Sequence, residues 1–148
     1  MIRKYFETLR FQLKLKIVNL KFIKWLAKEA QLRIKYMTSK DCIFCQMVNG
    51  EIKTQPILET DKTLAIADIN PVAPVHILII PKRHIESPLT IDASCAGDMI
   101  DMFEVSKKLV DVKKLSAYRL TFNGGKYQHV PHLHMHLLAR GKIEWSKL

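Results

Sequence analysis

The sequence predicts an α+β domain: an antiparallel sheet of about five strands with one long helix and a short N-terminal helix, preceded by a basic amphipathic helix. Three observations lead there. Short apolar runs suited to strands fall at 57–59, 64–69, 76–81, 118–123 and 132–139. A single long helical periodicity, 93–114, separates the third run from the fourth. Turn-forming pairs, Asn49-Gly50, Asn70-Pro71, Ala73-Pro74 and Gly124-Gly125, punctuate the chain between them. The order β, β, β, α, β, β gathers strands around one covering helix, whereas a parallel sheet would need strands and helices to alternate.

The elements follow in order. Residues 1–49 contain neither Gly nor Pro. Ile2, Phe6, Leu9, Leu13, Leu20, Ile23, Ala27, Ala30 and Ile34 recur at spacings of three and four, interrupted by Lys16, which describes an amphipathic helix with a basic face. It suits an anionic membrane surface, a targeting presequence without the usual serines, or an accessory helix ahead of a start at Met37. The division expected is a 1–37 extension and a 38–148 domain. Cys42 to Val48 reads as a short helix ended by Asn49-Gly50. The strands 57–59 and 64–69 flank a turn at 60–62, and 76–81 (H-I-L-I-I-P) is an apolar strand. Helix 93–114 directs Met99, Met102, Phe103, Leu109 and Val110 to the core. Strand 118–123 leads through Gly124-Gly125 to the last strand, 132–139.

The net charge of +10 is unevenly spread. Residues 1–36 carry ten Lys and Arg against two Glu, leaving fourteen basic and twelve acidic residues for the rest. The domain is therefore close to neutral, and its charge does not support a nucleic-acid partner. Three cysteines, Cys42, Cys45 and Cys95, do not make a secreted disulfide framework, so a reducing, cytoplasmic setting is expected. No apolar run approaches the ~18–20 residues of a transmembrane helix.

The chemistry concentrates in His132-Leu133-His134-Met135-His136-Leu137-Leu138. Alternate side chains of a strand share a face, so three imidazoles point one way while Leu133, Met135 and Leu137 enter the core. Neighbouring imidazoles repel one another when protonated, which favours neutral rings near pH 7. Neutral imidazole is both a nucleophile and a metal ligand. Cys42-x-x-Cys45 by itself fits a redox pair, two small core residues, or half of a zinc site.

The segment resembles the H-φ-H-φ-H-φ-φ signature (φ apolar) of the histidine triad superfamily. The likeness extends over 64–76 (L-A-I-A-D-I-N-P-V-A-P-V-H), 79–85 (I-I-P-K-R-H-I), 118–123 and 128–131, and covers about 41–148. Trp145 resembles the C-terminal Trp of the Hint branch, where the tail shapes the partner's site across a homodimer. The resemblance implies a purine nucleoside phosphoramidase, with dinucleoside polyphosphate hydrolysis or a non-catalytic nucleotide-binding role at a membrane as alternatives. It makes His134 the nucleophile and His136 the donor to phosphate oxygens, where nucleotidyltransferase relatives carry Gln. His132 and His76 would orient the nucleophile. Asp68 would hold the ribose hydroxyls, Ile43, Phe44, Met47, Ile66 and Ile69 would line the base slot, and Asn123, Gln128 and His129 would meet the nucleotide. His129 departs from the Ser or Thr usual there and changes the group available to protonate the leaving group. The likeness also implies that Cys42, Cys45, His84 and His132 bind structural Zn2+, with His132 a ligand first.

Overall fold

The computed structural model describes residues 41–141, together with Lys21, Ile23 and Lys24. Those three are helical and exposed. The rest of the expected basic helix, and Trp145, lie outside the described residues. The chain divides into two units, Met1–Tyr36 and Met37–Leu148. Among the described residues no helix is long and apolar enough to cross a membrane.

The second unit is built on a five-stranded antiparallel sheet of order β1-β2-β3-β5-β4. Its strands are β1 (Leu58–Glu59), β2 (Thr63–Ala67), β3 (Val75–Pro81), β4 (Tyr118–Phe122) and β5 (Met135–Ala139). Helix α1 (Ile43–Val48) precedes them, and α2 (Ala96–Val112) falls between β3 and β4. This is the α+β architecture the periodicities predict. β3 sits at the centre and pairs Ile79 with Ala65 on one side and with Met135 on the other.

Alternation along the strands divides the core in two. Ala65, Ile77, Ile79, Met135, Leu137 and Ala139 face α2 and pack with Met102, Val105 and Leu109. Leu64, Ile66, Leu78 and Ile80 face the other way and pack with Phe44 and Cys45 of α1. Central strands covered on both faces bury nearly every residue, which is why H-I-L-I-I-P lacks a polar alternate.

Four boundaries differ from expectation by more than one residue, each for a local reason. β2 ends at Ala67 because Asp68 turns the chain, its Oδ1 accepting from the Asn70 amide at 2.8 Å. The long helix opens as a 3-10 turn, Ala93–Cys95, capped by Asp92, and ends at Val112 just before Lys114 at φ 51°. Phe103 is half exposed, and Val105 takes the buried position instead. The last strand begins at Met135, not His132. Pairing on both sides stops there, with Ile79 and Phe122 as the partners of Met135, while β3 itself runs on to Pro81 along β2. Ahead of it the Leu133 amide bonds to the Ile85 carbonyl and the His132 amide to that of Val130. Side chains nonetheless keep alternating through this lead-in, with Leu133 in the α2-facing core.

Met135, fully buried and paired on both sides, anchors the register. Met135→Ala should cost about 2–5 kcal/mol in urea denaturation. Val112→Ala, at the exposed end of α2, should stay within about 0.5 kcal/mol.

Candidate active site

His76 on β3, His136 on β5, and His132 and His134 in the lead-in all lie on the α1 side of the sheet, and all four are buried. The His134 and His136 rings are 4.9 Å apart, and the His76 and His136 rings 5.1 Å. Phe44 of α1 sets its ring edge against both His132, at 5.8 Å, and His134, at 5.1 Å.

Main-chain groups fix the tautomers. His134 Nδ1 lies 2.7 Å from the His132 carbonyl oxygen, which can only accept. Nδ1 of His134 therefore carries the proton, and Nε2 keeps its lone pair. The Val72 amide donates to His76 Nδ1 at 3.2 Å, so His76 carries its proton on Nε2. That proton faces His136 Nδ1 at 2.8 Å and Asp68 Oδ2 at 3.2 Å. Accepting at Nδ1 leaves His136 protonated at Nε2. An Asn amide presents oxygen or nitrogen by a half-turn, so Asn123, 3.3 Å from His136 Nε2, can accept that proton. A lone pair on His134 and an N–H on His136 thus stand side by side.

Burial keeps these rings neutral. Desolvation, followed by the repulsion of His134 and His76, drives His136 down to about 3. Desolvation, reinforced by His84 and His134, takes His132 down to about 4 against the opposing bond to Pro81. His134 and His76 are lowered too, chiefly by desolvation, with Asp68 pulling each the other way.

Two groups of potential metal ligands exist among the described residues: Cys42, Cys45, His84 and His132, and Asp68, His76 and His136. The second nitrogen of each histidine tells them apart. His132 Nε2 lies 2.8 Å from the Pro81 carbonyl and must donate to it, so its bare Nδ1 faces the sulfurs. That Nδ1 is 3.4 Å from Cys42 Sγ, 3.5 Å from Cys45 Sγ and 3.2 Å from His84 Nδ1, and Cys45 Sγ is 3.3 Å from His84 Nδ1. A tetrahedral zinc site has S–N and N–N edges of about 3.6 and 3.3 Å. The first group therefore fits zinc in both donor chemistry and spacing. In the second group His76 presents an N–H, because Val72 occupies its other nitrogen, and that ring is not prepared to ligate.

The other expected residues divide. Asn123 reaches His136 and Phe44 reaches His134. Asp68 is joined to His76, with its other oxygen in the turn. His76 touches His136 rather than His134, and His132 orients His134 through its main-chain oxygen rather than its ring. Met47 and Ile66 pack in the α1-facing core. Ile43 and Ile69 are exposed, Ile69 at 91%. His129 is exposed on the following loop. Gln128 donates to the carbonyls of Glu86 at 2.6 Å and Val130 at 3.0 Å, which makes it a brace of the loop ahead of His132. Three contributors escape sequence reading: the Val72 amide and the carbonyls of Pro81 and His132. The stiff N-P-V-A-P segment is the only hint of the first.

An antiparallel sheet presenting this row of neutral imidazoles beside a carboxylate defines an α+β protein equipped for nucleophilic or metal chemistry. The chain belongs to the histidine triad family: the HIT domain model matches residues 49–143. An adenosine 5'-monophosphoramidase of Candida albicans is 37% identical over 109 residues, covering 67% of this chain and 70% of its own length. One from Danio rerio is 40% identical over 104 residues, covering 68% of this chain and 65% of its own length. A histidine triad protein from Clostridium difficile superposes with a TM-score of 0.68 at 38% identity, covering 72% of this chain and 96% of that one. A HIT family hydrolase from Clostridium thermocellum gives 0.67 at 39%, covering 70% and 94%.

The depressed histidines make stability pH-dependent. The unfolded chain protonates His136 below about 6.5, whereas the folded chain does so only near 3. Stability should be full above pH 6.5 and fall as pH drops through 6.5 toward 3. His136→Gln should flatten that slope in urea titrations between pH 4.5 and 7.5.

Proposed function

We propose that this protein hydrolyses purine nucleoside phosphoramidates, cleaving the P–N bond through a nucleotidyl intermediate on His134. The observation that carries the reading is the 2.7 Å bond from His134 Nδ1 to the His132 carbonyl, which leaves Nε2 as a buried, neutral nucleophile. Nε2 attacks the α-phosphorus, the P–N bond breaks, and the amine departs with a proton drawn from solvent, which the water of the second step gives back. Water then attacks the same phosphorus, the P–Nε2 bond breaks, and a nucleoside monophosphate is released with His134 restored. His136 Nε2–H donates to a non-bridging oxygen as charge develops there. His76 holds that tautomer, and the Val72 amide holds His76. Asp68 has accepting capacity left for a ribose diol beside its two present partners. Ile43, Phe44 and Ile69 offer an apolar slot for the base. The relatives named as adenosine 5'-monophosphoramidases support the substrate class.

The same reading gives Cys42, Cys45, His84 and His132 to structural Zn2+, a closed four-ligand site whose chemistry is to tie α1 to the segments carrying His84 and His132. Thiolate ligands suit a reducing, cytoplasmic compartment. Homodimerisation is part of the reading: β4 is an edge strand, and Ile100, Phe103 and Tyr118 expose apolar surface that a second copy would cover. Anionic lipid is the partner suited to the basic sequence of 1–36.

AMP release from adenosine 5'-phosphoramidate is the test. His134→Ala should reduce turnover at least about a thousandfold without unfolding the protein. Faster cleavage of diadenosine tetraphosphate by the wild type would move the reading to polyphosphate hydrolysis, and no turnover of either would leave a binding protein. Purified protein should carry one zinc per chain by elemental analysis, and Cys45→Ala should lose the metal and lower the melting temperature.

A further inference from the structure

His132 belongs to two networks at once. Its ring joins the cysteine cluster through Nδ1 and the Pro81 carbonyl through Nε2. Its main-chain oxygen accepts the nucleophile's Nδ1 proton. A second path runs through α1. Cys42 caps that helix and Cys45 lies inside it, so both thiols fix its position. Phe44 lies between them in sequence and is buried, with its ring edge against both His132 and His134. α1 is only six residues long and has no side-chain cap at its start. A helix this short is not stable by its own hydrogen bonds and takes its place from tertiary contacts.

We infer that the Cys42, Cys45, His84 and His132 cluster positions the nucleophile: by fixing α1 and residue 132 together, it sets the Phe44 ring and the His132 carbonyl that hold the His134 imidazole. Phe44 and His132 are positioning residues in this arrangement. His132 acts through its carbonyl, and Phe44 limits the tilt of the ring that the single hydrogen bond would allow. The cluster's effect is therefore on the attacking geometry, over and above any effect on folding. Small misplacements of a reacting atom cost large factors in rate. The inference rests on the proposed phosphoramidase chemistry and zinc site, yet its first readout, the ring signals without nucleotide, is independent of the chemistry.

The experiment compares full-length protein loaded with zinc and stripped with a chelator. It records the 15N signals of the His134 ring without nucleotide, AMP affinity, and kcat and KM for adenosine 5'-phosphoramidate. On stripping, the His134 signals should move from a fixed Nδ1–H tautomer toward an averaged one. kcat should fall about tenfold or more, by a larger factor than AMP affinity. Phe44→Leu keeps the four ligands and an apolar side chain, so it serves where stripped protein does not remain folded. It should retain zinc and show the same change in the His134 signals. Unchanged ring signals in both forms, or losses in kcat no greater than those in AMP affinity, would overturn the inference. Absence of turnover by loaded wild type would instead remove the phosphoramidase reading, and the ring signals would still decide this one.

Discussion

The 2.7 Å hydrogen bond between His134 Nδ1 and the His132 carbonyl is the constraint around which the site is arranged. A carbonyl can only accept, so the bond selects one of two neutral tautomers and exposes the lone pair of Nε2. It requires residues 132–134 to be extended but outside the ladder, since a carbonyl engaged by a neighbouring strand would be less available. The fold meets this by ending the pairing of β5 with both neighbours at Met135 and holding the lead-in through the Leu133 and His132 amides. Alternation then carries Leu133, Met135 and Leu137 into the α2-facing core, which locks the histidines to the opposite face. The buried core of the sheet thus supports the His134 imidazole.

One rule runs through the four buried histidines: what the far nitrogen meets decides what the near nitrogen can do. Carbonyls at His132 and His134 leave bare nitrogens, one toward the sulfurs and one toward the α1 side of the sheet. An amide at His76 leaves an N–H, which passes on to make His136 a donor. In the proposed function, four chemically identical side chains would thereby divide into a ligand, a nucleophile, a tautomer-setter and a phosphate donor. Burial makes this possible, because desolvation holds the rings neutral where exposed imidazoles would be partly charged.

Much of this is legible in the amino-acid sequence. The alternating histidines with apolar residues between them establish a face and its chemistry, and the turn pairs around the apolar runs establish the order of elements. The cysteine pair at 42 and 45 is ambiguous alone, because its partners lie 39 and 87 residues further along and only the fold brings them near. What sequence could not show is carried mainly by the backbone. The Val72 amide and the Pro81 and His132 carbonyls do decisive tautomer selection, and every residue carries such groups. Phe103 illustrates a different limit: helical spacing allows it or Val105 inside, and the packing on β3 and β5 takes Val105. The family resemblance assigns Asp68 and Gln128 to nucleotide contacts. The carboxylate is also engaged with His76, and the amide spans two loop carbonyls.

The central claim, that a ring nitrogen of His134 attacks phosphorus, is tested most directly by the stereochemistry of the reaction. A nucleoside thiophosphoramidate chiral at phosphorus, hydrolysed in 18O-labelled water, reports the number of displacements. Two successive in-line displacements, one by His134 and one by water, predict overall retention of configuration. Inversion would mean that water attacks directly, and would contradict the nucleophilic role of His134.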